Sequence, residues 1–235
     1  MNQNSNSIVI IGPSGVGKTT VADIISKKLN FEHCESDLFY EIIFNEMLKE
    51  DKDFKQKLDE SISKKTQEQY KIAPKEKNWS RETHFELFVK IMSICEQKEL
   101  ENYHLEFVEW LINKHLVEIG NNNVVLDMAP TCSHYSDKNK QEQFRKLLSK
   151  FEHIFYLVPS EDIRESLDIL KDRRIYANDI DQIMYEETNK YFIESGFLQN
   201  LATHILYTKN KTPEEIANVL LEKYKQNNKT EEMAL

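Results

Sequence analysis

Nine residues near the start of the chain have the composition and spacing of a phosphate-binding loop (P-loop). They are Gly12-Pro13-Ser14-Gly15-Val16-Gly17-Lys18-Thr19-Thr20 and read G-x-x-x-x-G-K-[ST]. This run holds three of the chain's five glycines, which let backbone N–H groups close around phosphate oxygens. Lys18 would place a positive charge at the β- and γ-phosphates of a nucleotide. The Thr19 hydroxyl would ligate the Mg²⁺ that bridges them.

Both flanks of the P-loop match the context that this motif requires, a strand before it and a helix after it. Residues 7–11 form a continuous apolar, β-branched run that is typical of a buried parallel strand. After Lys18, apolar residues recur with helical spacing at Val21, Ile24, Ile25 and Leu29. The phosphates would then lie at a helix N-terminus, where free N–H groups favour anions. The sequence therefore predicts a nucleotide-binding site.

The composition narrows the class of protein. The 235 residues are 40% hydrophobic and 30% charged, as in an ordinary globular protein. A net charge of −9 argues against a broad nucleic-acid surface, although it does not prevent ATP binding at a local loop. No apolar stretch approaches the length of a membrane span. The cysteines Cys34, Cys95 and Cys132 are odd in number and lack zinc-type spacing, which favours a reducing, cytoplasmic setting.

Further strands alternate with helices along the chain, which predicts an α/β fold with a parallel sheet. The predicted strands are Phe31–Cys34, Val124–Asp127, Ile154–Val158 and His204–Tyr207. The last helix has the strongest start signal, a capping box in which Thr212 is the N-cap, Pro213 follows and Glu215 lies at the third position. We expect a core made of residues 1–44 and 121–225, a helical insertion at 45–120 and a flexible tail at 226–235.

Acidic and basic residues follow the predicted strands where ligands bind in an open parallel sheet. Asp127 would hold Mg²⁺ beside Thr19, or else merely cap the next segment. Asp37 could accept a proton from a substrate hydroxyl, with Glu35 nearby, unless both acids are only solvated. Two arginines after the fourth strand either end a helix or close over the transferring phosphate; these are Arg173 and Arg174.

With these motifs the chain resembles the P-loop small-molecule kinases, most closely shikimate kinase and its gluconate-kinase-like relatives. The resemblance covers roughly residues 7–44 and 123–225. The segment Glu35-Ser36-Asp37 with Glu41 matches an Asp-x-Asp pattern followed by Glu, with Glu replacing the first Asp. It implies that Lys18 is catalytic, that Asp37 meets the acceptor hydroxyl with Glu35 and Glu41 beside it, and that Arg173 and Arg174 begin the lid. It also implies a P-loop NTPase three-layer fold with sheet order 2-3-1-4-5, and ATP with Mg²⁺.

The chain departs from shikimate kinases on the acceptor side. The glycine triplet expected after the third strand is replaced by Asp127-Met128-Ala129-Pro130, which looks more like adenylate kinases. Arg81 is only a distant candidate for one of the two arginines that bind the shikimate carboxylate.

Two functions are consistent with the sequence. The first is a kinase that uses Mg-ATP and a small hydroxyl- or phosphate-bearing acceptor. The second is a nucleotide-gated interaction protein in which residues 45–120 bind a partner rather than cap the acceptor.

Overall fold

The computed structural model describes residues 5–36, 56, 59–60, 64, 97–113, 123–133, 135–174 and 179–232. Within these ranges the strands are β1 (Ser5–Ile11), β2 (Glu32–Glu35), β3 (Val124–Asp127), β4 (Phe151–Val158) and β5 (His204–Tyr207). The helices are α1 (Lys18–Leu29), α2 (Gln97–Asn113), α3 (Lys138–Leu148), α4 (Ile163–Asp172), α5 (Asp179–Glu194), α6 (Phe197–Leu201) and α7 (Pro213–Glu232). A 3₁₀ turn covers Pro130–Ser133, and none of the described helices is long and apolar enough to cross a bilayer.

The five strands form one sheet in the order β2-β3-β1-β4-β5, and every neighbouring pair is parallel. This order, implied by the resemblance to P-loop kinases, is confirmed. The register places Asp127 opposite Ile10 of β1 on one side and opposite Glu35 of β2 on the other. Because all strands point the same way, the carboxyl ends of β1, β2 and β3 meet at one edge of the sheet, directly before the P-loop.

The core is built on β1, whose Ile8, Val9, Ile10 and Ile11 are all completely buried. A strand with no exposed face must be covered on both sides, which explains its continuous apolar sequence. Helices around the sheet supply that cover, and two of them, α1 and α7, also pack against each other. The P-loop therefore follows the buried central strand of the sheet.

Helix α2 lies in the predicted insertion 45–120 and packs into the same core. Its Val108, Leu111 and Ile112 are buried, and it contacts both the 3₁₀ turn and α3. Buried Glu101 accepts hydrogen bonds from the backbone N–H and hydroxyl of Ser136. Burial alone raises the pKa of this carboxyl, but the bonds from Ser136 and the Lys140 ammonium outweigh it and lower the pKa. Apart from α2 and residues 56, 59–60 and 64, the insertion lies outside the described residues.

Two helix ends are defined by the structure. Helix α4 is capped by Asp162, whose carboxylate accepts from the Glu165 N–H. Ser160 donates its N–H to Ser166 Oγ and stays outside the helix. Helix α7 continues to Glu232, beyond Gln226, where we expected the flexible tail to begin.

The capping box at the start of α7 is present as predicted. The Thr212 hydroxyl accepts from the Glu215 N–H at 3.2 Å, and the Glu215 carboxylate accepts from the Thr212 N–H at 2.7 Å. Replacing Thr212 with alanine should lower the free energy of unfolding by about 1 kcal/mol, because the first turn loses an acceptor. Thr212→Ser keeps that oxygen and is the matched control. Equal urea midpoints for Thr212→Ala and wild type would contradict the role of the cap.

Candidate active site

The glycines of the P-loop, residues 12–20, have positive φ angles that other residue types rarely adopt. Gly12 has φ +152° and Gly15 has φ +79°. A Cβ on Gly12 would overlap the Leu157 carbonyl oxygen of β4, and one on Gly15 would overlap the Tyr185 hydroxyl. Glycine at these two positions is therefore required by backbone conformation and by close packing against neighbouring elements.

Lys18 is the first residue of α1, and its side chain is only 7% exposed. Its ammonium donates to the Pro13 carbonyl oxygen at 3.2 Å, so the charge lies over the P-loop itself. No side chain caps α1, since the residue before Lys18 is Gly17. The helix N-terminus and the ammonium therefore face one small region, which suits a polyphosphate.

Thr19 and Asp127 meet beside that region, and they bring together two residues that are far apart in the sequence. The Thr19 hydroxyl donates to Asp127 Oδ2. Asp127 is 5% exposed, and its Oδ1 is buried with no hydrogen-bond partner in the part of the chain that the structure describes. A buried carboxylate oxygen without a partner is costly unless a cation or donor reaches it. This pair of hard oxygen ligands suits Mg²⁺.

The described ranges hold no cluster of three or more His, Cys, Asp or Glu side chains that could bind a metal by itself. Mg²⁺ commonly takes one or two protein oxygens and completes its shell with water and substrate phosphates. A site made of Thr19 and Asp127 at the edge of a P-loop fits that pattern.

The end of β2 adds negative charge to the same edge. Glu35 is half-buried and lies opposite Asp127 in the sheet register. The Cys34 thiol is buried, and its pKa is raised first by that burial and then by the charges of Glu32, Asp127 and Glu35. Burial and the neighbouring carboxylates therefore keep Cys34 as a neutral thiol.

Ser36, the residue after Glu35, is fully buried, and its Oγ accepts from the Ala129 N–H at 2.6 Å. This bond joins the end of β2 to the segment after β3, so the two acceptor-side segments of the predicted site are held together. Sequence reasoning singled out the acids here and missed Ser36. Asp37 and Glu41 lie outside the described residues.

The two predicted lid arginines differ in their surroundings. Arg173 is exposed, whereas the Arg174 guanidinium lies over the Tyr185 ring, with Cζ 4.2 Å from its centroid. Tyr185 belongs to α5 and also donates its hydroxyl to the Ser14 carbonyl of the P-loop. Asn189, one turn further along α5, contacts the backbone of the same residue. Sequence reasoning missed both residues, because their spacing of four positions places them on one helix face but does not show what that face contacts.

Part of the chain matches the model of a known protein family. Residues 11–119 match the model of a family described as an AAA domain. No curated protein matches the chain. The family match runs through the block 45–119, where residue motifs alone show no resemblance.

Several solved structures have a similar fold. A shikimate kinase from Acinetobacter baumannii in complex with shikimate is 13% identical, with 96% of each chain covered and a TM-score of 0.51. A shikimate kinase from Bacteroides thetaiotaomicron is 14% identical, with 94% of this chain and 98% of that chain covered and a TM-score of 0.52. A dephospho-CoA kinase from Campylobacter jejuni is 16% identical with the same coverages and a TM-score of 0.52. The resemblance inferred from the sequence is confirmed, and the chain has the fold of the P-loop small-molecule kinases.

Proposed function

We propose that this protein is a phosphotransferase that moves the γ-phosphoryl group of Mg-ATP to a hydroxyl or phosphate group of a small metabolite. The observation that carries the proposal is the pairing of Thr19 with Asp127 beside Lys18. Among the residues that the structure describes, none donates a hydrogen bond to the second, buried oxygen of the Asp127 carboxylate. That arrangement provides both a phosphate site and a Mg²⁺ site at one edge of the sheet.

On the donor side, the chain supplies positioning and charge. The N–H groups of the P-loop and of the α1 N-terminus would bind the phosphates. The Lys18 ammonium would stabilise the negative charge that develops on the γ-phosphoryl oxygens. Thr19 and Asp127 would hold Mg²⁺, which neutralises the β- and γ-phosphate oxygens when it is bound. The Lys18 ammonium donates to the Pro13 carbonyl, which places its charge beside the loop that would hold the phosphates.

On the acceptor side, Asp37 would orient the attacking hydroxyl and accept its proton as the P–O bond to ADP breaks. It directly follows Ser36, which is anchored to Ala129. Glu35 and Glu41 would contact the rest of the acceptor. Positioning such groups within hydrogen-bond reach of the reacting atoms provides most of the catalysis in phosphoryl transfer.

Two features favour transfer over simple hydrolysis of ATP. The residue after Asp127 is Met128, which is buried, so no acid stands there to polarise a water molecule. Arg174, held over Tyr185, and its neighbour Arg173 are the candidates for a lid that covers the transferring phosphate. The insertion 45–120 would cap the acceptor, which excludes water from the site.

A product assay tests the proposal. Wild-type protein is incubated with Mg-ATP and a panel of hydroxyl- and phosphate-bearing metabolites, and mass spectrometry is used to find products heavier by one phosphoryl group. Shikimate and dephospho-CoA are included because the similar structures act on them. We expect phosphorylated product above the rate of ATP hydrolysis. ATP binding without any product across the panel would instead favour the nucleotide-gated interaction protein.

The described part of the insertion bears on that second function. A partner-binding helix needs an accessible apolar face, yet the apolar residues Val108, Leu111 and Ile112 of α2 are buried in the core of this chain. A partner would therefore have to use other residues of the 45–120 block.

A further inference from the structure

The backbone of Ser14 in the P-loop is bound by two side chains from a distant helix. Its N–H donates to Asn189 Oδ1 at 2.8 Å, and its carbonyl oxygen accepts from Asn189 Nδ2 at 3.2 Å. The same carbonyl accepts a shorter bond, 2.7 Å, from the Tyr185 hydroxyl. One amide side chain thus binds both backbone polar groups of a single residue, Ser14, which fixes the orientation of the two peptide groups that flank its Cα.

These contacts are sheltered from solvent. Tyr185 is 5% exposed and Asn189 is 1% exposed, and both lie on the buried side of α5. Burial of these side-chain polar groups is tolerated because each of them is hydrogen-bonded to the backbone of Ser14. The contacts form only once α5 has packed against the loop, because about 170 residues separate the partners.

Gly15 shows that the loop and the tyrosine are fitted closely. Any side chain at Gly15 would overlap the Tyr185 hydroxyl, so the glycine leaves the space that the phenol occupies. The ring of Tyr185 makes a second contact, with Arg174, whose guanidinium stacks on it. Tyr185 therefore touches the P-loop with its hydroxyl and a candidate lid arginine with its ring.

We propose that Tyr185 and Asn189 are positioning residues: they hold the P-loop in its phosphate-binding conformation and, through the Tyr185 ring, place Arg174 over the site. This inference rests on the proposed function, since it assigns these residues to the same nucleotide site. Pre-organising the loop lowers the conformational cost of binding a polyphosphate. The chain thereby couples the donor loop to its lid through one aromatic side chain.

Nucleotide affinity measured by calorimetry tests the loop contact. Tyr185→Phe and Asn189→Ala should each weaken Mg-ATP and Mg-ADP binding by about 3- to 10-fold, the effect expected of one or two lost neutral hydrogen bonds. The matched control is Tyr191→Phe on the same helix, because its hydroxyl also donates to a backbone carbonyl, that of Tyr135, away from the P-loop. Its nucleotide affinity should equal that of wild type.

A second pair of variants tests the link to Arg174. Tyr185→Phe keeps the ring, so the transfer rate at saturating ATP should remain within about twofold of wild type, whereas Tyr185→Leu removes the stacking surface and should lower that rate further. Thermal midpoints without nucleotide separate positioning from general destabilisation. We expect Tyr185→Phe to lower the midpoint no more than Tyr191→Phe does.

Each outcome decides between the claims. Unchanged affinity in Tyr185→Phe and Asn189→Ala, or an equal loss in Tyr191→Phe, would overturn the positioning role even if wild type transfers phosphate. Weakened binding in the two variants with no transfer by wild type would support the positioning role and count against the kinase. Equal transfer rates in Tyr185→Phe and Tyr185→Leu would remove the link to Arg174. A wild type that binds no nucleotide would overturn both proposals.

Discussion

Lys18→Ala should abolish phosphoryl transfer and weaken ATP binding. The side chain is buried over the P-loop, and its ammonium is the only charge that this loop carries. Removing a preorganised charge from the centre of such a site costs about 10²- to 10³-fold in rate. ATP affinity should fall as well, because the β- and γ-phosphates lose the ammonium in both the ground and transition states. Calorimetry and the product assay measure the two effects separately.

Lys27→Ala is the control for this prediction. Lys27 lies on the same helix, but it is exposed and forms an ordinary ion pair with Asp23 one turn earlier. Its removal changes the net charge of the protein by the same amount and leaves the P-loop untouched, so transfer and ATP affinity should stay at wild-type values. Transfer by Lys18→Ala within about threefold of wild type would contradict the P-loop assignment, given the size of the loss expected.

The parts of the fold that have strong local signals could be predicted from the sequence. Strand β3 (Val124–Asp127) and strand β5 (His204–Tyr207) have the predicted bounds, because each is a short apolar run with clear ends. The capping box at Thr212 is also present, since its geometry depends on residues only three positions apart. Strand β4 begins at Phe151, three residues before the predicted Ile154. The prediction began too late because the polar residues Glu152 and His153 interrupt the apolar pattern.

Helix α3 was not predicted, and its composition explains the omission. It spans Lys138–Leu148, and only Phe144 and Leu148 are buried. Two buried residues in three turns give too weak a periodic pattern to be recognised without its tertiary contacts. Its start signal was nevertheless present, because the Asp137 carboxylate accepts from the N–H groups of Asn139 and Lys140.

Contacts between distant segments could not be predicted from local patterns. The order of the strands came only from the family resemblance, because spacing along the chain does not decide which strands pair. The contacts of Ser14 with Tyr185 and Asn189 join segments more than 170 residues apart. The pairing of Thr19 with Asp127 was expected from the chemistry of the motif, and the structure brings these two side chains together.

Asp127→Asn should raise the Mg²⁺ concentration needed for half-maximal transfer by about 10-fold or more, the usual loss when a charged ligand to a metal becomes neutral. The amide still accepts a hydrogen bond from Thr19 but gives up the negative charge. The nucleotide-free variant should be at least as stable as wild type. The reason is that Asp127 Oδ1 is buried with no hydrogen-bond partner among the described residues, and removing a buried charge relieves a desolvation cost.

Asp37→Asn should change the rate of transfer and not the Mg²⁺ requirement. If Asp37 accepts the proton of the acceptor hydroxyl, this variant should lose transfer by about 10²-fold or more while it binds Mg-ATP with wild-type affinity and Mg²⁺ dependence. Glu32→Gln provides the charge control. It removes one negative charge from the same sheet at the opposite end of β2, where Glu32 lies opposite Val124, and it should leave both measurements unchanged.

Titrating Mg²⁺ against transfer and against ATP binding in all three variants separates the two roles. A metal ligand changes the Mg²⁺ requirement, and part of the rate returns at high Mg²⁺, whereas a proton acceptor lowers the maximal rate at every Mg²⁺ concentration. The same Mg²⁺ dependence in Asp127→Asn and Asp37→Asn would show that these roles are misassigned. A wild-type Mg²⁺ requirement in Asp127→Asn would mean that its buried carboxylate serves only to fix the Thr19 hydroxyl at the edge of the P-loop.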